Sequence, residues 1–180
     1  WADVGGKKSA GQVRVVSGSL LTRGRAETFL LTLSGAAENE MLGSEVAPAG
    51  DWDGDGKADL LVSSAGADEK KGSWLVRVFS GADGAELWKA SGAAGDWHAP
   101  AVALVGDADG DGKPDVALGT PSVGATAGLV TVLAVKDGAA VWTVKGAPKE
   151  NLGEELSAFP DADGDGVADL LVVSPGAAVK

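Results

Sequence analysis

Three times in its 180 residues the chain places aspartates at positions one, three, five and nine of a nine-residue loop and then turns at once into an apolar run: DWDGDGKAD from Asp51, DADGDGKPD from Asp107 and DADGDGVAD from Asp161. The loops start 56 and then 54 residues apart. Recurrence at such a period predicts a repeat architecture, in which each repeat is one supersecondary unit that buries its apolar face against its neighbours. No other feature narrows the available folds as much.

The segments between the loops align as well. GQVRVVSG from Gly11, GSWLVRVFSG from Gly72 and GLVTVLAVKDG from Gly128 alternate apolar and polar residues, the pattern of a half-buried strand. ETFLLTLSG, AELWKASG and AAVWTVKG follow as second strands, joined to the first through turn residues such as Gly81 to Gly84 and Asp137-Gly138. One further strand precedes each acidic loop, in SEVAPAG, AVALVG and ELSAF, and one follows it, in DLLVSS, DVALGT and DLLVVS. With the strand before the loop called A, the one after it B, and the next two C and D, the chain reads C D, A B C D, A B C D, A B. Four short antiparallel strands in about 55 residues have the size and content of a β-propeller blade. The Trp-Asp and Gly-His signatures of WD40 and kelch-length repeats are missing. The expected fold is therefore all-β: blades of four antiparallel strands, three blades' worth in a single propeller segment over 1–180. Its parts are a half-blade at 1–34 (C, D), blades at 35–91 and 92–145, and a half-blade at 146–180 (A, B). Twenty-eight glycines, seven prolines, three Phe and no Tyr suit short strands and tight turns.

Residues 42–66, LGSEVAPAGDWDGDGKADLLVSSAG, resemble the FG-GAP repeat of integrin α-subunit propellers and of related secreted bacterial FG-GAP/VCBS proteins. In that family Phe-Gly opens strand A, a calcium loop follows, and Gly-Ala-Pro closes strand B. Here Leu42-Gly43 and Leu152-Gly153 stand at the Phe-Gly position, Trp97 to Pro100 replaces it in the second repeat, and Gly119-Thr120-Pro121 is nearest to Gly-Ala-Pro. The resemblance spans nearly the whole chain and implies a calcium-stabilised propeller serving extracellular adhesion or recognition. The family's partner contacts lie on the face opposite the calcium loops, formed by the D-to-A and B-to-C connections.

The loops themselves have the chemistry of a hard-cation site. Calcium takes six to eight oxygens, and alternating aspartates on a tightly curled backbone turn theirs inward. The expected side-chain ligands are Asp51, Asp53, Asp55 and Asp59; Asp107, Asp109, Asp111 and Asp115; and Asp161, Asp163, Asp165 and Asp169. The seventh position contributes only its backbone carbonyl, so Lys57, Lys113 and Val167 are all admissible there. An EF-hand begins alike but needs a bidentate Glu at position twelve and a following helix. Position twelve is Val62, Leu118 or Val172, inside a strand, so the ninth-position aspartate closes the site instead. Magnesium, which keeps its waters and a strict octahedron, fits less well. A lone Asp-Gly loop reads equally as a solvated hairpin turn, but three in register, each with four carboxylates that repel one another without a cation, favour metal. The expected cofactor is Ca²⁺ at three sites.

The formal charge of −11 opposes nucleic acid and anionic membrane as partners. No apolar run reaches the roughly 18 residues of a membrane span. The absence of cysteine excludes disulfides and thiol chemistry, and one histidine, His98, permits neither a Ser-His-Asp triad nor a zinc site. The chain is therefore expected not to be an enzyme, with Glu38, Glu40, Glu154 and Glu155 the acids on which a glycosidase or lyase reading would have to rest. Trp88 and Trp142, matched by Leu31, are expected to pack between blades, and Trp52 to cover the metal. Trp97 beside His98, in a D-to-A connection, would serve the alternative of a carbohydrate-binding propeller or an accessory module of a polysaccharide-processing enzyme. A start at Trp1 without Met or signal core reads as a mature or trimmed form, and the millimolar calcium of extracellular fluid, which such loops would draw on, places the expected site of action outside the cell. The half-blades at the two ends are complementary. Three blades are too few for a ring, so a homodimer closing six blades is the expected assembly, with a fragment of a longer six- or seven-bladed propeller as the alternative.

Overall fold

A computed structural model of the chain describes residues 2–18, 29–68, 73–92, 100–121, 127–165 and 167–177. It divides into two compact units, Trp1–Trp97 and His98–Lys180. In the first unit β1 (Gln12–Val16) and β2 (Phe29–Ser34) form a two-stranded sheet, and β3 (Val46–Pro48), β4 (Leu60–Asp68), β5 (Ser73–Phe79) and β6 (Glu86–Ser91) form a four-stranded one in that order. In the second, β7 (Ala101–Leu104), β8 (Val116–Thr120), β9 (Ala127–Leu133) and β10 (Ala140–Pro148) form a four-stranded sheet, and β11 (Leu156–Phe159) pairs with β12 (Asp169–Val172). Every pairing between these strands is antiparallel. The sheets hold two, four, four and two strands, so the expected C D, A B C D, A B C D, A B order is the observed one among the described residues.

The apolar runs after the acidic loops become the interior strands. Leu61 to Ser64 in β4 and Val116 to Gly119 in β8 are buried on both faces, which is why these stretches lack the alternation seen in β9. Two strands run past their expected ends, β4 to Asp68 and β10 to Pro148, each beyond a register shift. Such a bulge lets a strand continue with altered twist where pattern alone predicts a stop.

Within each unit the small sheet lies against the large one. Leu33, Leu42, Val62 and Phe79 form the first core, with Val13, Leu31 and Leu60 packed on it. Ala103, Val105, Ala117 and Val132 form the second, with Leu156 and Leu170. A buried Val or Leu contributes roughly 1.5–3 kcal/mol, so these clusters hold the sheets face to face. The backbones come close where C strands begin: a Cβ on Gly11 would lie 2.4 Å from backbone atoms of Leu42, and one on Gly128 would lie 2.1 Å from the Leu152 carbonyl. Only glycine fits there.

The matched tryptophans diverge. Trp88 is half-buried, its ring 6.1 Å from that of Trp52, whereas Trp142 is 50% exposed. Neither belongs to the buried core clusters expected of them: on the outer strand of its sheet Trp88 leans on Trp52, whereas Trp142, equally on an outer strand, has Ala108 at the position matching Trp52.

Candidate metal-binding loops

Each acidic loop is a long connection between strands A and B, and its neck is closed by the hairpin ladder. Ala49 N–H donates to the Asp59 carbonyl (2.9 Å) and Val105 N–H to that of Asp115 (2.9 Å). Inside the neck the first aspartate gathers amides from the following residues. Asp107 accepts from Gly110 (2.7 Å) and Asp111 (3.0 Å) on Oδ1 and from Gly112 (2.7 Å) on Oδ2. Asp51 accepts from Gly56 (3.0 Å), and Asp161 from Gly164 (2.7 Å). The aspartate at position three, as Asp53, Asp109 or Asp163, accepts from the amide two residues on, in each case at 3.1 Å. The curl requires left-handed backbone at Gly110 and Gly112, with φ of 80° and 88°.

This folding brings carboxylates together. Oxygens of Asp51, Asp53 and Asp59 lie within 4.8 Å of one another, as do those of Asp107, Asp109 and Asp115, and those of Asp161, Asp163 and Asp165. The first two groups use positions one, three and nine, and the third uses one, three and five. Asp55 and Asp111, at position five, are outside their groups and accept from the amides of Lys57 (2.8 Å) and Lys113 (2.9 Å); Asp165 accepts from Val167 (2.7 Å). The side chains of Lys57, Lys113 and Val167 are exposed. Amide donation to the ionised form holds the Asp107 carboxyl below its ordinary value, the Gly112 bond being the largest cause.

The ninth aspartate has a structural part that its spacing did not reveal. Asp59 and Asp115 are buried. On Oδ2 they accept from the second loop residue, Trp52 (2.7 Å) or Ala108 (2.9 Å), and on Oδ1 from the C–D turn, Gly81 (2.8 Å) or Val135 (3.2 Å). One carboxylate thus ties the loop to the neighbouring hairpin, keeping lone pairs for a cation. Asp169 repeats the first half, accepting from Ala162 (2.8 Å), and is only half-buried. Trp52, expected over the metal, leans on Trp88 of β6. The second loop has a cation of its own: Lys136 Nζ lies 2.5 Å from Asp109 Oδ2, and this bond raises the lysine above its ordinary value.

Among the acids on which an enzyme reading would rest, Glu40 is buried and paired with Arg77. Arg77 also donates to Ser64 Oγ (3.2 Å), and the carboxylate accepts from Ala37 N–H (3.0 Å). Glu38, Glu154 and Glu155 are exposed. Trp97 and His98 lie outside the described residues. The buried Glu40–Arg77 pair was not anticipated, although arginine at matching places in two C strands, Arg14 and Arg77, was a signal.

Residues 51–118, from the first acidic loop through the second into β8, match the family model described as an FG-GAP-like repeat. Over those residues the chain is similar to that repeat. No curated protein matches it.

Proposed function

We propose that this FG-GAP repeat chain is a calcium-binding, non-catalytic scaffold whose four-stranded sheets are propeller blades, serving adhesion or protein recognition outside the cell. The observation that carries the reading is the threefold recurrence of carboxylate oxygens gathered within 4.8 Å on loops that link strands A and B. The donor set is all oxygen and all anionic, which suits a hard divalent cation and excludes none of the coordination numbers calcium adopts. Asp51, Asp53 and Asp59 in the first loop, Asp107, Asp109 and Asp115 in the second, and Asp161, Asp163 and Asp165 in the third would hold the ions. Bound there, each neutralises charge and fastens A to B.

Calcium that binds the folded state only stabilises it by mass action, about 2.7 kcal/mol at a hundredfold excess over the dissociation constant. The melting temperature should rise with millimolar calcium, rise less with magnesium, and fall in EDTA. An unchanged melting curve in EDTA, together with no calcium by elemental analysis of the purified protein, would sink the proposal. A glycan-binding screen addresses the lectin-like alternative, with Trp97→Ala as its control.

A further inference from the structure

Eight aspartates of the chain stand directly before a glycine, and seven of those glycines are described. Such a bond is open to attack on its own side chain, because glycine has no Cβ to keep its nitrogen away from the preceding carboxyl. Whether the nitrogen is available depends on what its hydrogen already meets. Gly110 and Gly164 donate to Asp107 and Asp161, each at 2.7 Å, Gly112 to Asp107 (2.7 Å) and Gly56 to Asp51 (3.0 Å). In the turns between strands C and D, Gly84 donates to the Ser80 carbonyl (2.9 Å) and Gly138 to that of Ala134 (2.8 Å). Gly54 alone of the seven has no acceptor among the described residues.

The three acidic loops supply the comparison that isolates this difference. Asp53, Asp109 and Asp163 stand at the same loop position, each accepting from the amide two residues on at 3.1 Å. The glycines that follow them have φ of 79°, 80° and 83°, and a Cβ on any of the three would meet nothing within 4 Å. Asp109 has the Lys136 ammonium beside it as well. Asp163 has no such cation, and like Asp53 it is exposed. Between Asp53 and Asp163 the distinguishing feature is the glycine amide, bonded at Gly164 and free at Gly54.

We propose that Asp53 is a site of covalent modification, the position at which the folded chain isomerises to isoaspartate ahead of its other Asp-Gly bonds. The Gly54 nitrogen attacks Cγ of Asp53. A bond forms between that nitrogen and Cγ, one Cγ–O bond breaks, and the carboxylic-acid oxygen leaves as water with the amide hydrogen. The product is a five-membered succinimide. Water then adds at the main-chain carbonyl carbon of Asp53 and breaks its bond to the Gly54 nitrogen, so that the chain runs on through Cβ and Cγ. Addition at Cγ instead restores aspartate. Nothing is oxidised or reduced, and one water lost and one gained leave the mass unchanged.

At the other described pairs the glycine must first give up its acceptor, a local opening that the first loop does not need. For an amide bonded to a carboxylate this slows attack about ten-fold. Isoaspartate at 53 adds an atom to the backbone and leaves the carboxylate attached directly to Cα. It would therefore withdraw an oxygen from the group that Asp53 forms with Asp51 and Asp59. The site itself needs no ion and no partner. Only the effect of calcium on its rate rests on the metal reading above, since an ion holding the Asp53 carboxylate would keep it from the Gly54 nitrogen.

The whole chain is kept warm for weeks at neutral pH in EDTA, digested at intervals, and its isoaspartyl peptides are located by electron-transfer fragmentation. Isoaspartate should build up at Asp53 about ten-fold faster than at Asp163. In urea the two rates should converge, because the difference belongs to the fold. Asp161→Ala removes the acceptor from Gly164 and should bring Asp163 up towards Asp53. Asp107→Ala does the same for Gly110 at Asp109, and far-UV circular dichroism shows which variants are folded. Equal rates at Asp53 and Asp163 in the folded protein overturn the proposal, as does an excess at Asp53 that persists in urea. Folded variants that leave the rates at Asp163 and Asp109 unchanged overturn it too. Slowing at Asp53 by calcium supports both the site and an ion in that loop; preference for Asp53 with no slowing supports the site and counts against the ion.

Discussion

Removing an oxygen from an acidic loop and removing the carboxylate that holds the loop shut should leave different signatures. Asp115→Ala takes one buried acceptor away from the amides of Ala108 and Val135. We expect a loss of about 2–3 kcal/mol, measured by urea unfolding in EDTA, before calcium enters. Asp53→Ala, at an exposed position, should stay within about 0.5 kcal/mol of the parent in EDTA and lose stability only relative to the calcium-loaded protein. If the two variants behave alike in EDTA, the clamp reading of the ninth aspartate fails. The ammonium of Lys136 competes with any ion in the second loop for Asp109. Lys136→Ala should therefore tighten calcium there by up to about five-fold, the range of an exposed charge pair, with isothermal titration as the readout. Nine-residue spacing made the aspartates legible as a group, but it could not separate those that gather from Asp55 and Asp111, which turn to the amides of Lys57 and Lys113. That division depends on backbone curl, which spacing does not encode.

Strands were the most legible elements, because alternation and apolar runs record burial directly. Each of the twelve expected segments overlaps an observed strand, and the pairing order follows from the repeat. What escaped was set by neighbours in space. Pattern could not show that Trp88 would find Trp52 while Trp142 lay open, since the difference arises from Ala108 and Ala162 at the positions matching Trp52. Nor could it show that Glu40, an acid in a connection, would be buried on a strand arginine. That pair makes a sharp test. Removing one partner leaves the other charge buried without compensation, so Arg77→Met should destabilise the fold by about 3–5 kcal/mol. A loss below about 0.5 kcal/mol, the lower end for trimming a single buried methyl group, would mean the pair contributes little to holding β5 in its sheet.

The molecule as a whole carries 26 acidic against 15 basic residues, with twelve of the aspartates concentrated in three loops. Like charges at close range oppose the compact state, and salt screens them. In EDTA, adding 0.5 M potassium chloride should raise the melting temperature, and the increment should shrink once calcium is present. An equal increment in both conditions would place the repulsion elsewhere than the loops. The clamp at Asp59 and Asp115 sets a further consequence. Because the curl is already held by amide donors on the loop and on the adjacent turn, an arriving ion meets a socket of nearly finished shape, with no second arrangement to select. On the calcium reading proposed above, such a loop would not signal. Its response to calcium would be one of endurance: circular dichroism nearly the same with and without the ion, and a folded lifetime, read from unfolding kinetics, that lengthens as the calcium concentration rises.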